Sequence, residues 1–392
     1  MELEHLAANL RRLRVAQSLS QAQLAEQAGM SRAGYRNIEA GVSEPRVDTL
    51  IRVADVLGVG IEELLRPVRV LERVRFRADR RMTTRAELLA EVARRLDAYV
   101  DLETLLVSAK ELSRKTSKLN AIRKRIHRKR AVGDRALSIA RAARAAFGVG
   151  DDQIRDICGL FEDHGVKMIT PEVASEGFFG LSVSDPKRGD AVVVNTWDRL
   201  SVERWIFTAA HELGHLILHQ GAYDVSKSGE QQDEEQEADS FASEFLMPHA
   251  TFVSEWIEAR GLPLVDRVFK IKRIFKVSWK TVLYRIDHAL PPHARGSVWA
   301  EFGAQCRERY GRAFGPTEEP EGARPSEFQD GRPATPASRE PAHLTKFDFT
   351  KDRLNRYARL AYEKDLITLD RLAELLDLSL VEARALANAW VV

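Results

Sequence analysis

The stretch Ala209-Ala210-His211-Glu212-Leu213-Gly214-His215-Leu216-Ile217-Leu218-His219 sets His-Glu-x-x-His inside an apolar run. Residues four apart share a helix face, so His211 and His215 can point at one metal ion. Glu212, next to the first histidine, can lean over the same ion. Neutral imidazoles bind Zn at about 2.0–2.1 Å, and three protein ligands leave one position for water. Zn lowers the pKa of that water towards roughly 7, and a glutamate beside it can take the proton. Trp205, Ile206, Phe207, Ala209 and Ala210 precede the motif, so this is a core helix, with Ser201 as its cap. Imidazole and carboxylate groups inside a core helix need partners. The plainer reading of the same residues is a buried helix with two satisfied histidines.

A third ligand must come from elsewhere. A metzincin needs Gly at position 218 and His at 221, where this chain has Leu218 and Gly221. His219 lies one turn beyond His215, too far from His211 to share a small ion. The acidic cluster from Asp233 to Asp239 is the better source, because it runs into the apolar face Ala238, Phe241, Ala242, Phe245 and Leu246. At about 100° per residue, Glu234 and Glu235 fall on that face, while Asp233 and Glu237 fall off it. Two candidates remain, with Glu237 the runner-up on composition alone.

Upstream, Ile154, Ile157, Cys158 and Phe161 make an amphipathic helix ended near Gly165. Val166 to Ile169, Phe178 to Ser182 and Ala191 to Asn195 read as strands. A small sheet beside a long helix is α+β. In zinc peptidases a strand often lies along the cleft, where its edge pairs with an extended substrate. Val192–Asn195 is the candidate for it. Leu262 to Ile286 reads as two helices closing the unit. Tyr284 and Tyr223 are candidate donors to a developing oxyanion, although the spacing of Tyr284 also suits a core position.

The N-terminal residues follow a different pattern. Leu6, Leu10, Leu13 and Ala16 repeat at helical spacing. Ser20 caps a helix over Gln21–Gln27, Ser31 caps another over Arg32–Glu39, and Val47–Leu57 and Ile61–Leu65 make two more. Five short helices with a tight Gly29 turn between the second and third describe a helix-turn-helix bundle. Between the two patterned regions runs a bridge. Val70 to Arg77 alternates as a strand would, Thr83 or Thr84 caps a long helix, and Ala136 to Phe147 reads as helix. From Lys110 to Arg130 there are ten Lys or Arg and one acid, so the rest of the chain is mildly acidic. That run is either a solvated face or an arm tracking DNA phosphates with Arg123, Lys124, Arg125, Arg128, Lys129 and Arg130. It holds no aromatic residue, which argues against stacking on single strands.

The 392 residues bound the answer at two or three domains. No apolar run approaches 18 residues and the start is polar, which predicts neither signal peptide nor membrane span. Two distant cysteines, Cys158 and Cys306, fit a reducing cytoplasm. Gly311 to Pro341, with six prolines, reads as flexible linker, and the last fifty residues resume a helical pattern.

Two resemblances carry the function further. Leu19-Ser20-Gln21-x-x-Leu24-Ala25-Glu26, then Ile38-Glu39-Ala40-Gly41, then Pro45 before Thr49-Leu50, resemble the Xre-type repressors. The resemblance implies that the helix beginning at Ser31 enters the major groove of double-stranded operator DNA. Arg32, Ala33 and Asn37 then face base edges, and Gln21, Arg36 and Arg46 face phosphates. It also implies a homodimer on two half-sites. His-Glu-Leu-Gly-His with Glu-x-x-Ala-Asp-x-Phe-Ala and Phe-Leu-Met-Pro resembles the ImmA/IrrE metallopeptidases, whose fold is similar to the gluzincins. That resemblance selects Glu235 as third ligand and gives Asp239 the task of orienting a ligand histidine. Zn is the implied metal, with Mn possible, and Glu212 the base.

The resulting expectation is an α+β, mostly helical chain: a helix-turn-helix domain over 1–67, a bridge over 68–145, a zincin-like peptidase over 146–295, a linker over 296–341 and a helical module over 342–392. Such relatives work in the cytoplasm and cleave a repressor to release gene expression, in stress response among other settings. The alternative is an antitoxin-like repressor or sensor that uses the peptidase fold as a scaffold and holds a cognate toxin.

Overall fold

The computed structural model describes residues 3–17, 19–65, 71, 74–78, 85–111, 119–128, 135–175, 177–219, 232–315, 318–319 and 353–390. Two compact units divide the chain. Met1–Leu71 with Thr83–Arg94 form the first, and Glu72–Met82 with Arg95–Val392 form the second.

The first unit contains α1 (Leu3–Ala16), α2 (Gln21–Gln27), α3 (Arg32–Glu39), α4 (Val47–Leu57) and α5 (Ile61–Leu65). Local chemistry sets these bounds. Ser20 accepts the Gln23 N–H and the Gln23 side chain returns to the Ser20 backbone, closing a capping box at the start of α2. Ser31 accepts the Gly34 N–H at the start of α3. Gly58 ends α4 in the left-handed region, where a side chain would be strained. Leu6, Leu10, Leu24, Tyr35, Leu50, Leu57 and Leu64 fill the core between the helices. One charged group is buried with them. Glu39 accepts from Arg14 through both carboxylate oxygens, at 2.7 and 2.9 Å, and from Gln21 at 2.9 Å.

The second unit opens with β1 (Val74–Ala78), followed by α6 (Arg85–Ser108), of which residues 95–108 belong here. Then come α7 (Leu119–Arg128), α8 (Arg135–Phe147), α9 (Ile157–Asp163), β2 (Lys167–Ile169), β3 (Phe178–Asp185), β4 (Gly189–Val194), α10 (Val202–Leu218) and α11 (Gln232–Leu246). The sheet order is β1-β3-β4-β2, with β2 parallel to β4 and the other pairs antiparallel. β4 is therefore central, paired on both sides, and cannot offer an edge along a cleft as expected for Val192–Asn195. Its continuous apolar run, Ala191 to Val194, is fully buried, as a central strand requires.

α10 packs across β3 and β4 and along α11, and α11 packs in turn on α8. The basic bridge supports these helices. Arg123, expected on a DNA arm, is buried; it pairs with both oxygens of Asp190 at 2.9 Å and donates to the Leu216 carbonyl at the end of α10. Arg144 likewise donates to the Phe245 carbonyl at the end of α11. These carbonyls lack partners within their own helices and carry the negative end of the helix dipole. Burial gives each arginine more from such a carbonyl than exposure on an arm would. Lys124 is exposed. The side chains of Arg125 and Arg128, with Lys129, Arg130, Thr83 and Thr84, lie outside the described residues.

The unit closes with α12 (His249–Glu258), α13 (Leu264–Phe275), α14 (Trp279–Ala289) and α15 (Ser297–Tyr310). α15 falls where the linker was expected to begin. Its Phe302 stacks on Trp279 with centroids 5.1 Å apart, and Val298 and Cys306 join the same core. The last helices, α16 (Arg353–Glu363), α17 (Leu369–Leu376) and α18 (Leu380–Ala389), pack on Tyr99, Leu102 and Leu106 of α6. Cys158 and Cys306 are both buried as thiols rather than in a disulfide. No described helix is long and apolar enough to cross a membrane.

Candidate functional site

His211 and His215 lie one turn apart on the buried helix α10, and their Nε2 atoms are 2.9 Å from each other. Glu235, in the first turn of α11, brings Oε2 to 3.1 Å from His211 Nε2 and Oε1 to 3.1 Å from His215 Nε2. Gly214 allows this approach. A Cβ there would stand 3.0 Å from Phe241 Cδ1 and 3.4 Å from Ala238 Cα, so a larger residue would push α11 away and carry Glu235 with it. The Gly inside His-Glu-Leu-Gly-His is thus a packing requirement of the site.

The outer nitrogens decide where the protons sit. His211 Nδ1 is 2.7 Å from Asp239 Oδ1, and a carboxylate only accepts, so Nδ1 carries the hydrogen. His215 Nδ1 meets His219 Nδ1 at 2.9 Å, and His219 Nε2 meets Glu237 Oε2 at 2.9 Å. Glu237 fixes the hydrogen of His219 on Nε2, so His219 Nδ1 accepts from His215 Nδ1. Burial pushes both His215 and His219 below the ordinary histidine value, His215 far below, so each ring is neutral and has one hydrogen to place. The inner Nε2 of His215 is left with a lone pair facing His211 and an acid.

Three electron-rich atoms this close need a cation between them, and they fit a divalent ion. Ligands of a tetrahedral Zn at about 2.0–2.1 Å lie about 3.3 Å apart, a few tenths of an ångström wider than the edges here. Among the described residues, His211, His215 and Glu235 are the group able to hold a metal ion.

Glu212 points beneath β3. Ser182 donates to Glu212 Oε2 at 2.6 Å, which fixes the carboxylate against β3. Gly180 lets the strand come so near, since a Cβ there would lie 2.6 Å from Thr208 Cγ2 and 2.8 Å from the Val193 carbonyl. Sequence reasoning missed Ser182, although a glycine inside a strand pattern signals such close backbone approach. It also missed Arg75, on β1, which pairs with Glu234 and with Glu235 Oε1, the latter at 2.9 Å. Glu234 therefore faces Arg75, and Glu237 serves His219.

Tyr284 is exposed, not core. Its ring lies on His288 with centroids 3.8 Å apart; burial and then the charge of Asp239 raise its phenol, which puts it within electrostatic reach of the site. Tyr223 lies outside the described residues.

In the first unit, Arg32, Ala33 and Arg36 are exposed on α3, Asn37 is half-buried, and Arg46 is exposed at the start of α4. The Gln21 amide, expected at a phosphate, donates to buried Glu39 instead.

Comparison with known proteins returns two family models. Residues 10–64 match a helix-turn-helix family, and residues 161–287 match the IrrE N-terminal-like domain family. No curated protein matches the chain. Two segments of the chain are thus similar to known families, one to Xre-like helix-turn-helix modules and one to the ImmA/IrrE-type domain of a metallopeptidase family.

Proposed function

We propose that this DNA-binding regulator carries a working metal-dependent endopeptidase that cleaves a repressor protein, a partner or the chain itself, and so releases gene expression. The observation that carries the reading is the convergence of His211, His215 and Glu235, with Glu212 on the same helix held by Ser182. A Zn or Mn ion held there would supply Lewis acidity and make a water at its open position acidic. Glu212 would serve as the base that takes a proton from the attacking water and returns it to the leaving amine. Asp239 and His219 keep the two imidazoles in the tautomer that offers Nε2 inward. Tyr284 is the described candidate to donate to the developing oxyanion.

In the first unit, Arg32, Ala33 and Asn37 read bases, and Arg36 and Arg46 meet phosphates, with Gln21 acting through Glu39. Exposed Val42, Val47 and Ile51 support a homodimer on a two-fold operator. An antitoxin-like repressor that holds a toxin on a non-catalytic scaffold is the second reading. It draws on the Arg75 guanidinium already bonded to Glu235.

Metal content and mass spectrometry of repressor fragments test the choice. Glu212→Gln is expected to keep about one metal per chain and lose cleavage by about a thousandfold or more. Equal cleavage or equal gene release by wild type and variant would reject the peptidase.

A further inference from the structure

An extended peptide substrate gains affinity by adding a strand to an exposed sheet edge, with backbone hydrogen bonds for binding and alternate side chains for selection. The strand that lies over Glu212 is β3, through Ser182 and Gly180. Its free edge is already taken. β1 pairs antiparallel along it, with Val74 opposite Val183, Arg75 opposite Ser182 and Arg77 opposite Gly180. Directly opposed residues project to the same face. Arg75 therefore points where Ser182 points, into the site, and its guanidinium bonds Glu235 and Glu234.

Two features mark this as occupation of a substrate's place. The guanidinium and a divalent ion would share one carboxylate, Glu235, so the strand sits against the reactive position itself. Glu234 has no place in the candidate metal-binding group, yet it bonds the same arginine, as a selecting group for a basic side chain would. By chain order β1 follows the last helix of the DNA-binding module by eight residues.

We propose that Val74–Ala78 is a built-in substrate mimic: it closes the peptidase by lying on the β3 edge, and a substrate takes its place as an extended segment with a basic side chain against Glu234. This deepens the peptidase reading and rests on it. Hydrolysis of the substrate then requires β1 to leave the edge.

The test uses the full chain and a fluorescent peptide copying residues 71–80, followed by anisotropy. With Glu212→Gln to prevent cutting, adding Arg75→Ala is expected to raise peptide affinity at least about tenfold, and a peptide whose Arg75 is replaced by Glu is expected to lose that gain. Arg75→Gln, which keeps a donor on a shorter, uncharged side chain, is expected to fall between. Equal affinity with and without Arg75, or capture indifferent to the peptide's arginine, overturns the mimic. With Glu212 intact, Arg75→Ala is expected to raise cleavage of a disordered basic protein about fivefold or more. Unchanged or lower cleavage that still depends on Glu212 sinks the mimic and leaves the peptidase. Arginine-dependent capture without any Glu212-dependent cleavage sinks the peptidase and leaves the strand site.

Discussion

Glu39 in the first unit and Glu235 in the second are both carboxylates drawn in among buried groups, and their partners differ in kind. Glu39 is surrounded by donors: Arg14 with two N–H groups and Gln21 with one. Burial raises its carboxyl, but these donors outweigh burial and lower it. The network is complete and its result is a rigid helix-turn-helix. Glu235 faces two imidazole nitrogens whose hydrogens are committed elsewhere. Arg75 of its own chain bonds Oε1, and the side turned to the two imidazoles suits a divalent ion. A buried acid closed by its own chain is architecture; one that looks at lone pairs is a binding site.

The largest expected effect separates the two directly. Glu235→Ala should reduce bound metal from about one per chain to near zero by elemental analysis. Arg75 keeps Glu234 as a partner, so the metal-free chain should lose only about 1 kcal/mol, less than a stranded guanidinium would cost. Glu39→Ala should do the reverse. It strands the Arg14 guanidinium inside the helix bundle, so the first unit should lose about 3 kcal/mol in urea unfolding while metal content stays the same. If Glu235→Ala unfolds the chain and Glu39→Ala does not, the distinction is broken.

A smaller effect is expected one bond further out. Asp239→Asn keeps an acceptor for His211 Nδ1 but removes its charge, and should weaken metal affinity by about ten- to a hundredfold in a chelator competition. An unchanged affinity would mean that Asp239 does not set the His211 tautomer.

A third acid sharpens the contrast through pH. Glu319 is half-buried, with Lys272 3.4 Å away and Glu203 on the same lysine. Burial raises its carboxyl to about 7, with Lys272 opposing and Glu203 adding to the rise. The folded chain then holds a proton that the unfolded chain releases near 4.5. This contribution to stability is full below about 4.5 and is lost as pH rises through about 7. Glu319→Gln should therefore flatten that loss, by on the order of 2 kcal/mol between pH 5 and 8. A thermal-melt series that keeps the wild-type slope would show that Glu319 is not the acid responsible.

What the sequence discloses follows the range of the interactions. Ser20, Ser31 and Ser201 act within three residues, and each helix begins where they predict. The pair His211 and His215 is one helical turn, and Glu235 could be narrowed to one of two positions because an apolar face fixes a helix's rotation. Arg75, Ser182 and Arg123 were illegible because each acts on a residue at least 30 positions away. Nothing local distinguishes a buried arginine in a basic run from an exposed one. The wrong edge strand was a different failure: Ala191 to Val194 lacks the alternation of a strand with one wet face, and that signature of a central strand was present to be read.

Arg123 and Arg144 close the open ends of the two helices that bear His211, His215 and Glu235, yet both stand before residue 161, where the match to the peptidase family starts. The exchangeable part of this molecule is therefore larger than the part that similarity outlines. A recombination joint placed at 161, whether by evolution or by cloning, would transplant the His-Glu-x-x-His motif without the two clasps that hold its helices. Swaps of the DNA-reading head should succeed only when the splice leaves everything from α7 onward, and the strand before α6, with the recipient.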